Sequence, residues 1–295
     1  MSLEPVAALK HGLDRALPGA EWILRAPPGG PAPRYLGQDA CYPLKKILAS
    51  CLALARDVDC LLVPRLVGPE GHLMCPNFRA LPDLVALNCD RMPGHGGADR
   101  VFPLVDRFDR RGLEAIAGEA AARIRGRRGV ALEPRPARSG SPDPGGKAPP
   151  PDDLSDRIAL LGHPYVLDDR RLNNGVVEIL HGRGVRTVRG DRIPYPECDR
   201  LARGRDWFAK TLYWRPAREM LGAFLYFTRV RRPAGIIHLV PFNCGIEALT
   251  RLELKAMHRA MGDPPPYMVV VCDEHTQQDH VSTRVEAFLD VAYGF

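Results

Sequence analysis

This 295-residue sequence is marked first by what it lacks. It contains no run of about twenty apolar residues, which argues against a membrane-spanning helix. Met1 to Leu13 already carries Glu4, Lys10 and His11 and has no apolar signal core, so export is not expected and a cytoplasmic protein is. There is no Cys-x-x-Cys pair, the short spacing on which structural zinc sites are usually built. There is no Gly-x-x-x-x-Gly-Lys-Ser/Thr loop, so the chain is not expected to hydrolyse ATP itself. No glycine-rich phosphate loop follows any predicted strand, which counts against a metal-free nucleotide- or CoA-binding enzyme.

What is present is ordinary for a soluble globular protein: 45% hydrophobic and 26% charged residues. The net charge of +6 is concentrated between Arg100 and Arg138, where ten arginines face five acids. No aromatic follows Phe108 in that stretch, so the stacking partners of a nucleic-acid surface are missing and nucleic acid is not the expected partner. A solvated helix running into a linker is expected instead, with an acidic partner protein as the alternative.

Proline and glycine divide the chain. Residues 133–153 hold Pro134, Pro136, Gly140, Pro142, Pro144, Gly145, Gly146 and Pro149 to Pro151, the composition of an extended linker. It separates an N-terminal α/β lobe, 1–132, from a C-terminal α/β lobe, 154–295. In the first lobe a helix is expected within Val6–Leu17, a short strand over Glu21–Arg25, a helix from Pro43 and a strand over Val58–Val63. A loop over Pro64–Met74 and helices over Leu81–Leu87 and Gly112–Ile124 complete it. In the second, strands are expected at Arg157–Leu161, Val185–Val188, Gly235–Val240 and Tyr267–Cys272. Helices over Gly175–His181, about Pro216–Val230, Ile246–Met261 and His280–Val291 come between and after them. Such alternation implies right-handed crossovers and a mostly parallel sheet. The carboxyl ends of its strands, where ligands collect in open α/β sheets, carry Gly162-His163-Pro164-Tyr165, Arg189-Gly190-Asp191, Pro241-Phe242-Asn243-Cys244 and Cys272-Asp273-Glu274-His275.

Eight cysteines in a long chain without an export signal are thiols, ligands or core residues rather than a disulfide frame. Cys51 and Cys60 fall on apolar faces and are expected in the core. Cys41, Cys75 and Cys244 stand in other contexts: Cys41-Tyr-Pro-Leu-Lys45, Cys75-Pro-Asn77 and Phe242-Asn-Cys-Gly245. Cys41 precedes a predicted helix, whose positive end favours the thiolate. Soft thiolates select zinc, copper(I) or iron–sulfur clusters. Three ligands from two lobes suit a cluster in an interlobe cleft; three unrelated structural cysteines are the competing reading. Asp273, Glu274 and His275 are candidate proton-transfer groups, with orientation of the cluster loops as the favoured alternative. His163 and Tyr165 are candidate hydrogen-bond donors to cluster sulfur or substrate, with a loop that caps the next helix as the alternative.

Taken in order, these motifs resemble the proteins related to 2-hydroxyacyl-CoA dehydratases and their activases, in the uncharacterised activase-related branch. The resemblance is carried by Cys41-Tyr-Pro-Leu-Lys45, Asp59-Cys-Leu-Leu-Val-Pro64, Cys75-Pro76, His163-Pro-Tyr-Val-Leu-Asp168 with Asn174-Gly175, Phe242-Asn-Cys-Gly245, Asp273-Glu-His-Thr276 and Arg284-Val-Glu-Ala-Phe288. It implies two Rossmann-like lobes with an iron–sulfur cluster in the cleft between them. The cluster would be a four-iron one, or a double cubane as in relatives that reduce small molecules. Cys41, Cys75 and Cys244 would be its ligands. A separate ATP-dependent activase with its own cluster would supply a low-potential electron, and a homodimer or heteromer would be the working form. A non-catalytic α/β scaffold that keeps the fold without a cluster is the rival. Asn243 and Ile246 depart from the glycine and the small or polar residue expected in the family.

Overall fold

A computed structural model describes residues 11–17, 20, 36–37, 39–68, 73–91, 97–106, 110–128, 153–203 and 212–294. The strand expected at Glu21–Arg25, the loop residue His72, most of the 133–153 linker and the connection through Trp207 lie outside them. The chain divides into two compact units. One comprises Leu3–Ala40 and Leu44–Gly145; the other comprises Gly146–Phe295 and takes in the tripeptide Cys41–Pro43.

In the N-terminal unit, helix α1 covers 11–16, α2 Tyr42–Asp57, α3 Pro76–Arg91 and α4 Arg110–Arg128. The strands are short: β1 Cys60–Leu62, β2 Arg65–Leu66, β3 Asp99–Val101 and β4 Leu104–Val105. β1 pairs parallel with β3, and β2 with β4. The prolines explain the breaks, because Pro64 and Pro103 have no N–H to give to a ladder. The chain resumes on either side of them, with Val63 N–H donating to Val101 O and Arg65 N–H to Pro103 O. β2 therefore replaces the start of the expected Pro64–Met74 loop. α3 is longer than the expected Leu81–Leu87 and carries Pro82 in its interior. Leu13, Leu17, Val101, Val105, Leu113, Ile116 and the small faces of Ala117, Ala120 and Ala121 form the core. On α4, Arg123 pairs with Glu119 at 2.5 Å and Arg125 donates to Ala16 O at 3.1 Å. These basic side chains are engaged along the unit's own surface.

The C-terminal unit is a four-stranded, wholly parallel sheet in the order β6-β5-β7-β8. The strands are β5 Ile158–Leu161, β6 Thr187–Arg189, β7 Gly235–Pro241 and β8 Tyr267–Cys272. β5 and β7 are buried along their whole length, as their apolar sequences, interrupted only by His238 in β7, require of strands covered on both faces. Alternate residues feed two cores. Ala159, Leu161 and Ile236 pack with Met220, Leu221, Phe224, Leu254 and Met257. Ile158, Leu160, Ile237 and Leu239 pack with Val166, Val176, Leu180, Val281 and Val285. The first face is covered by α7 (Tyr195–Ala202), α8 (Arg215–Leu225) and α9 (Gly245–Ala260). The second is covered by α5 (Pro164–Leu167), α6 (Val176–Gly182) and α10 (Gln278–Tyr293). The α/β parallel-sheet class expected from the sequence is the one observed.

α7 and α8 approach so closely that a Cβ on Gly222 would lie 2.2 Å from Cys198 O and 2.4 Å from its Cα. Backbone cannot yield as a side chain can. Gly222→Val is therefore expected to destabilise the C-terminal unit by about 3 kcal/mol, in the upper range for overpacked cores. The shift of the urea unfolding midpoint, read at 222 nm, measures it.

Candidate functional site

The order β6-β5-β7-β8 contains a reversal. From β5 the chain goes to one side to form β6, then returns past β5 to form β7. Ligands in such sheets sit beyond the carboxyl ends of the two strands flanking the reversal, where the adjoining loops diverge. Here those strands are β5 and β7. β5 ends in Gly162-His163, and β7 ends in Pro241-Phe242-Asn243-Cys244. All four carboxyl ends lie along one edge, as the sequence pattern predicts.

The loop after β7 is tightly specified. Phe242 N–H donates to Cys272 O at 2.8 Å, and Cys244 N–H to Pro241 O at 3.2 Å. Asn243 takes a left-handed conformation, φ 57°. This is the position where a glycine was expected, and asparagine is the residue that best tolerates that region after glycine. Cys244 then caps α9: its carbonyl accepts from Ala248 N–H at 2.8 Å. It is buried, while the space where a Cβ on Gly245 would stand holds no atom within 4 Å.

Cys41 reaches the same loop. Tyr42 N–H donates to Phe242 O at 3.1 Å, and the Tyr42 ring lies in the second core with Leu160, Val166 and Leu239. Its hydroxyl donates to Arg171 O at 3.3 Å. Burial, then Glu274, Asp169 and Asp273, push the Tyr42 phenol up to about 12, so it keeps its proton. Cys41, one residue before Tyr42, is buried at 3% exposure. The structure thus groups Cys41 with the loop that carries Cys244. Cys75 belongs to the N-terminal unit, directly before α3. Among the described residues, no group of three or more His, Cys, Asp or Glu side chains is arranged to hold a metal ion.

The three cysteines nonetheless share one local setting, each being the residue immediately before a helix: α2, α3 and α9. The other five lie inside helices or strands. Burial pushes the Cys51 and Cys272 thiols up to about 12 and raises Cys89 as well, which makes these three poor ligands. A thiolate donor is favoured at a helix N-terminus. On donor chemistry and on the open space at Gly245, Cys41 and Cys244 suit a thiolate-bound group, while Cys75 lies in the other unit.

Behind the rim lies a feature that sequence reading passed over. His238 is in the middle of apolar β7, and Glu247 is the third residue of α9; both side chains are fully enclosed. His238 Nε2 lies 3.0 Å from Glu247 Oε2, and His238 Nδ1 lies 2.7 Å from the Tyr267 hydroxyl. Burial, then the Glu247 charge, raises the Tyr267 phenol, so it keeps its proton. The Glu247 carboxylate can only accept, so His238 donates to it from Nε2. The other carboxylate oxygen, Oε1, lies 3.1 Å from His163 Nε2 but receives no aligned hydrogen bond. Burial alone would raise the Glu247 carboxyl; His238, His163 and Arg251 outweigh it and hold the group below its ordinary range. The signal that could have found this network was a lone histidine in an apolar strand facing an acid in the next helix. In sequence, Glu247 reads only as a first-turn carboxylate of a helix.

The remaining candidates separate. His163 joins this network and stacks on Tyr165, ring centroids 5.2 Å apart. Glu274 and His275 stand in the exposed β8–α10 loop, with the His275 side chain 84% exposed. Arg189 clamps the β5 and β6 ends, reaching Asp168 at 2.5 Å and Asp191 at 2.9 Å.

A family model described as CoA enzyme activase uncharacterised domain matches residues 33–193, just over half of the chain. The match includes Cys41, Cys75 and His163 and ends before His238, Cys244 and Glu247. No curated protein matches the chain. No described helix is long and apolar enough to cross a membrane.

Proposed function

The chain belongs to the family of the CoA enzyme activase uncharacterised domain, and from that premise we propose that it is an iron–sulfur component of a dehydratase-like system. Cys41, Cys75 and Cys244 are its ligands, and an ATP-dependent activase with its own cluster is its partner. The observation that carries the reading is the hydrogen bond from Tyr42 N–H to Phe242 O at 3.1 Å. It joins two segments far apart in sequence so that Cys41 and the Cys244 loop belong to one rim. The helix N-termini behind these cysteines lend positive partial charge to a bound negative group, and Gly245 leaves space beside Cys244. A bound four-iron cluster would supply a one-electron carrier of low potential at that rim. The protein's own part is to hold three thiolates, to lend positive helix ends to a negative group and to fix the loops.

Iron and acid-labile sulfide per chain, measured after anaerobic purification, test the proposal. About four of each is expected, falling to near zero in Cys41→Ser and Cys244→Ser and sharply in Cys75→Ser. The same variants of Cys51 and Cys272 should keep their iron. Negligible iron in the unaltered protein, even after reconstitution, would sink the reading and leave a scaffold of the same fold.

A further inference from the structure

A fully buried carboxylate inside an apolar sheet-and-helix core is costly unless it is paired, and such groups collect at functional sites. Glu247 is paired with His238 behind it, yet its forward oxygen carries no aligned hydrogen bond and faces His163 at 3.1 Å. The network is a chain of four side chains. It starts at Tyr267 on β8, passes His238 on β7 and Glu247 on α9, and ends at His163, the first residue after Gly162 at the end of β5. Tyr267 is half-buried at one end and the His163 side chain is 7% exposed at the other, whereas Glu247 and His238 between them show nothing. His163 lies beyond β5, one of the two strands that flank the reversal in strand order.

We propose that His163 is a general base of this rim, taking a proton from a bound ligand at Nδ1, and that Glu247, His238 and Tyr267 are positioning residues that fix its ring and balance its charge. With the carboxylate beside Nε2, the neutral imidazole carries its hydrogen on Nε2, and the Nδ1 lone pair is left to accept. In the step itself the ligand's X–H bond breaks and an Nδ1–H bond forms. The electron pair stays on the ligand, and the new imidazolium stands beside the Glu247 carboxylate. No oxidant or reductant takes part. The ligand class is a molecule whose proton an imidazole can remove. Tyr165, stacked on the ring, limits its rotation.

The charged and titratable groups that act on the pair are Glu247 and Arg251 on α9, the positive amino terminus, Glu219 on α8, His238 on β7 and Tyr267 on β8; the amino terminus, like burial, lowers His163. Burial lowers the His163 imidazole from its ordinary value, so it rests neutral, the form a base requires. This inference shares with the proposed function only the idea that the rim is where a ligand reacts.

The test needs no iron and no known substrate. Diethyl pyrocarbonate acylates unprotonated imidazole nitrogen, and peptide mass spectrometry locates the product. On the full chain, His163 should be modified at least tenfold faster than His238, with a rate that rises with pH around a midpoint below 6.5. Glu247→Gln removes the charge that favours the imidazolium and should move that midpoint down by about one pH unit. An unreactive His163, or a midpoint unmoved by Glu247→Gln, would overturn the proposal. Should Glu247→Gln fail to fold, imidazole nitrogen NMR of the unaltered protein, assigned with His163→Gln, decides the point. An Nε2–H tautomer supports the proposal; an Nδ1–H tautomer overturns it. An iron-free protein that passes this test would refute the cluster alone.

Discussion

Tyr42→Ala is expected to destabilise the C-terminal unit by about 3–5 kcal/mol, the range for deleting a large buried aromatic ring. Tyr42 is only 5% exposed, and its ring is part of the second core, against residues of β5, β7 and α5. Removing it empties that position and frees Cys41–Pro43 to leave the rim. Tyr42→Phe separates the ring from the hydroxyl. The bond to Arg171 O is long, 3.3 Å, and its loss should cost about 1 kcal/mol or less. Urea unfolding followed at 222 nm gives both values. A Tyr42→Ala midpoint within error of the unaltered protein would show that the tripeptide is not part of the unit's core. If Cys41 is a cluster ligand, the alanine variant should also lose most of its iron while the phenylalanine variant keeps it.

That prediction was half visible in the sequence. The Cys41-Tyr-Pro-Leu-Lys45 motif was singled out for its cysteine and for the proline that opens α2, whereas the tyrosine is the residue that does the anchoring. Its partners, Phe242 O and Arg171 O, lie far along the chain, and no periodicity reports a contact of that kind. The sheet of the C-terminal unit was legible for the opposite reason. Ile158–Leu161 and Ile236–Val240 are nearly unbroken apolar runs, which only a strand covered on both faces accommodates at that length. α7 was missed because Pro194 and Pro196 bracket its start and its exposed face is charged, so it reads as loop. β3 and β4 were missed because Pro103 divides two very short strands and Asp99-Arg100 opens the first. At the site, sequence alone drew attention to the exposed Glu274 and His275. It underrated Glu247 and did not notice His238, because burial is what sets the latter pair apart, and burial is a property of the packed state.

The second large effect concerns that pair. Glu247→Leu leaves His238 enclosed without its acceptor, and His238→Leu leaves a buried carboxylate without its donor. Each should cost about 3–5 kcal/mol at pH 7, the range for breaking a buried pair from one side. The double variant Glu247→Leu/His238→Leu should cost much less than the sum, because two apolar side chains need no partners. The pH dependence follows from the same groups. Glu247 is held below its ordinary 4.5 in the folded state, so between its folded value and 4.5 the unfolded chain binds the extra proton. The stabilisation is thus full above that range and is lost as pH falls through the folded value. His163 is lowered from 6.5 by burial, and the unfolded chain again takes the proton first, so its loss has the same sign and begins nearer pH 6.5. The unaltered protein should therefore weaken on acidification in two stages. The variants lacking Glu247 should lack the lower stage, and their deficit relative to the unaltered protein should shrink as pH falls toward 4. A deficit that stays constant between pH 7 and pH 4 would mean that Glu247 contributes by packing rather than by charge. A double variant as unstable as the sum of the singles would mean that the two residues do not act as a pair.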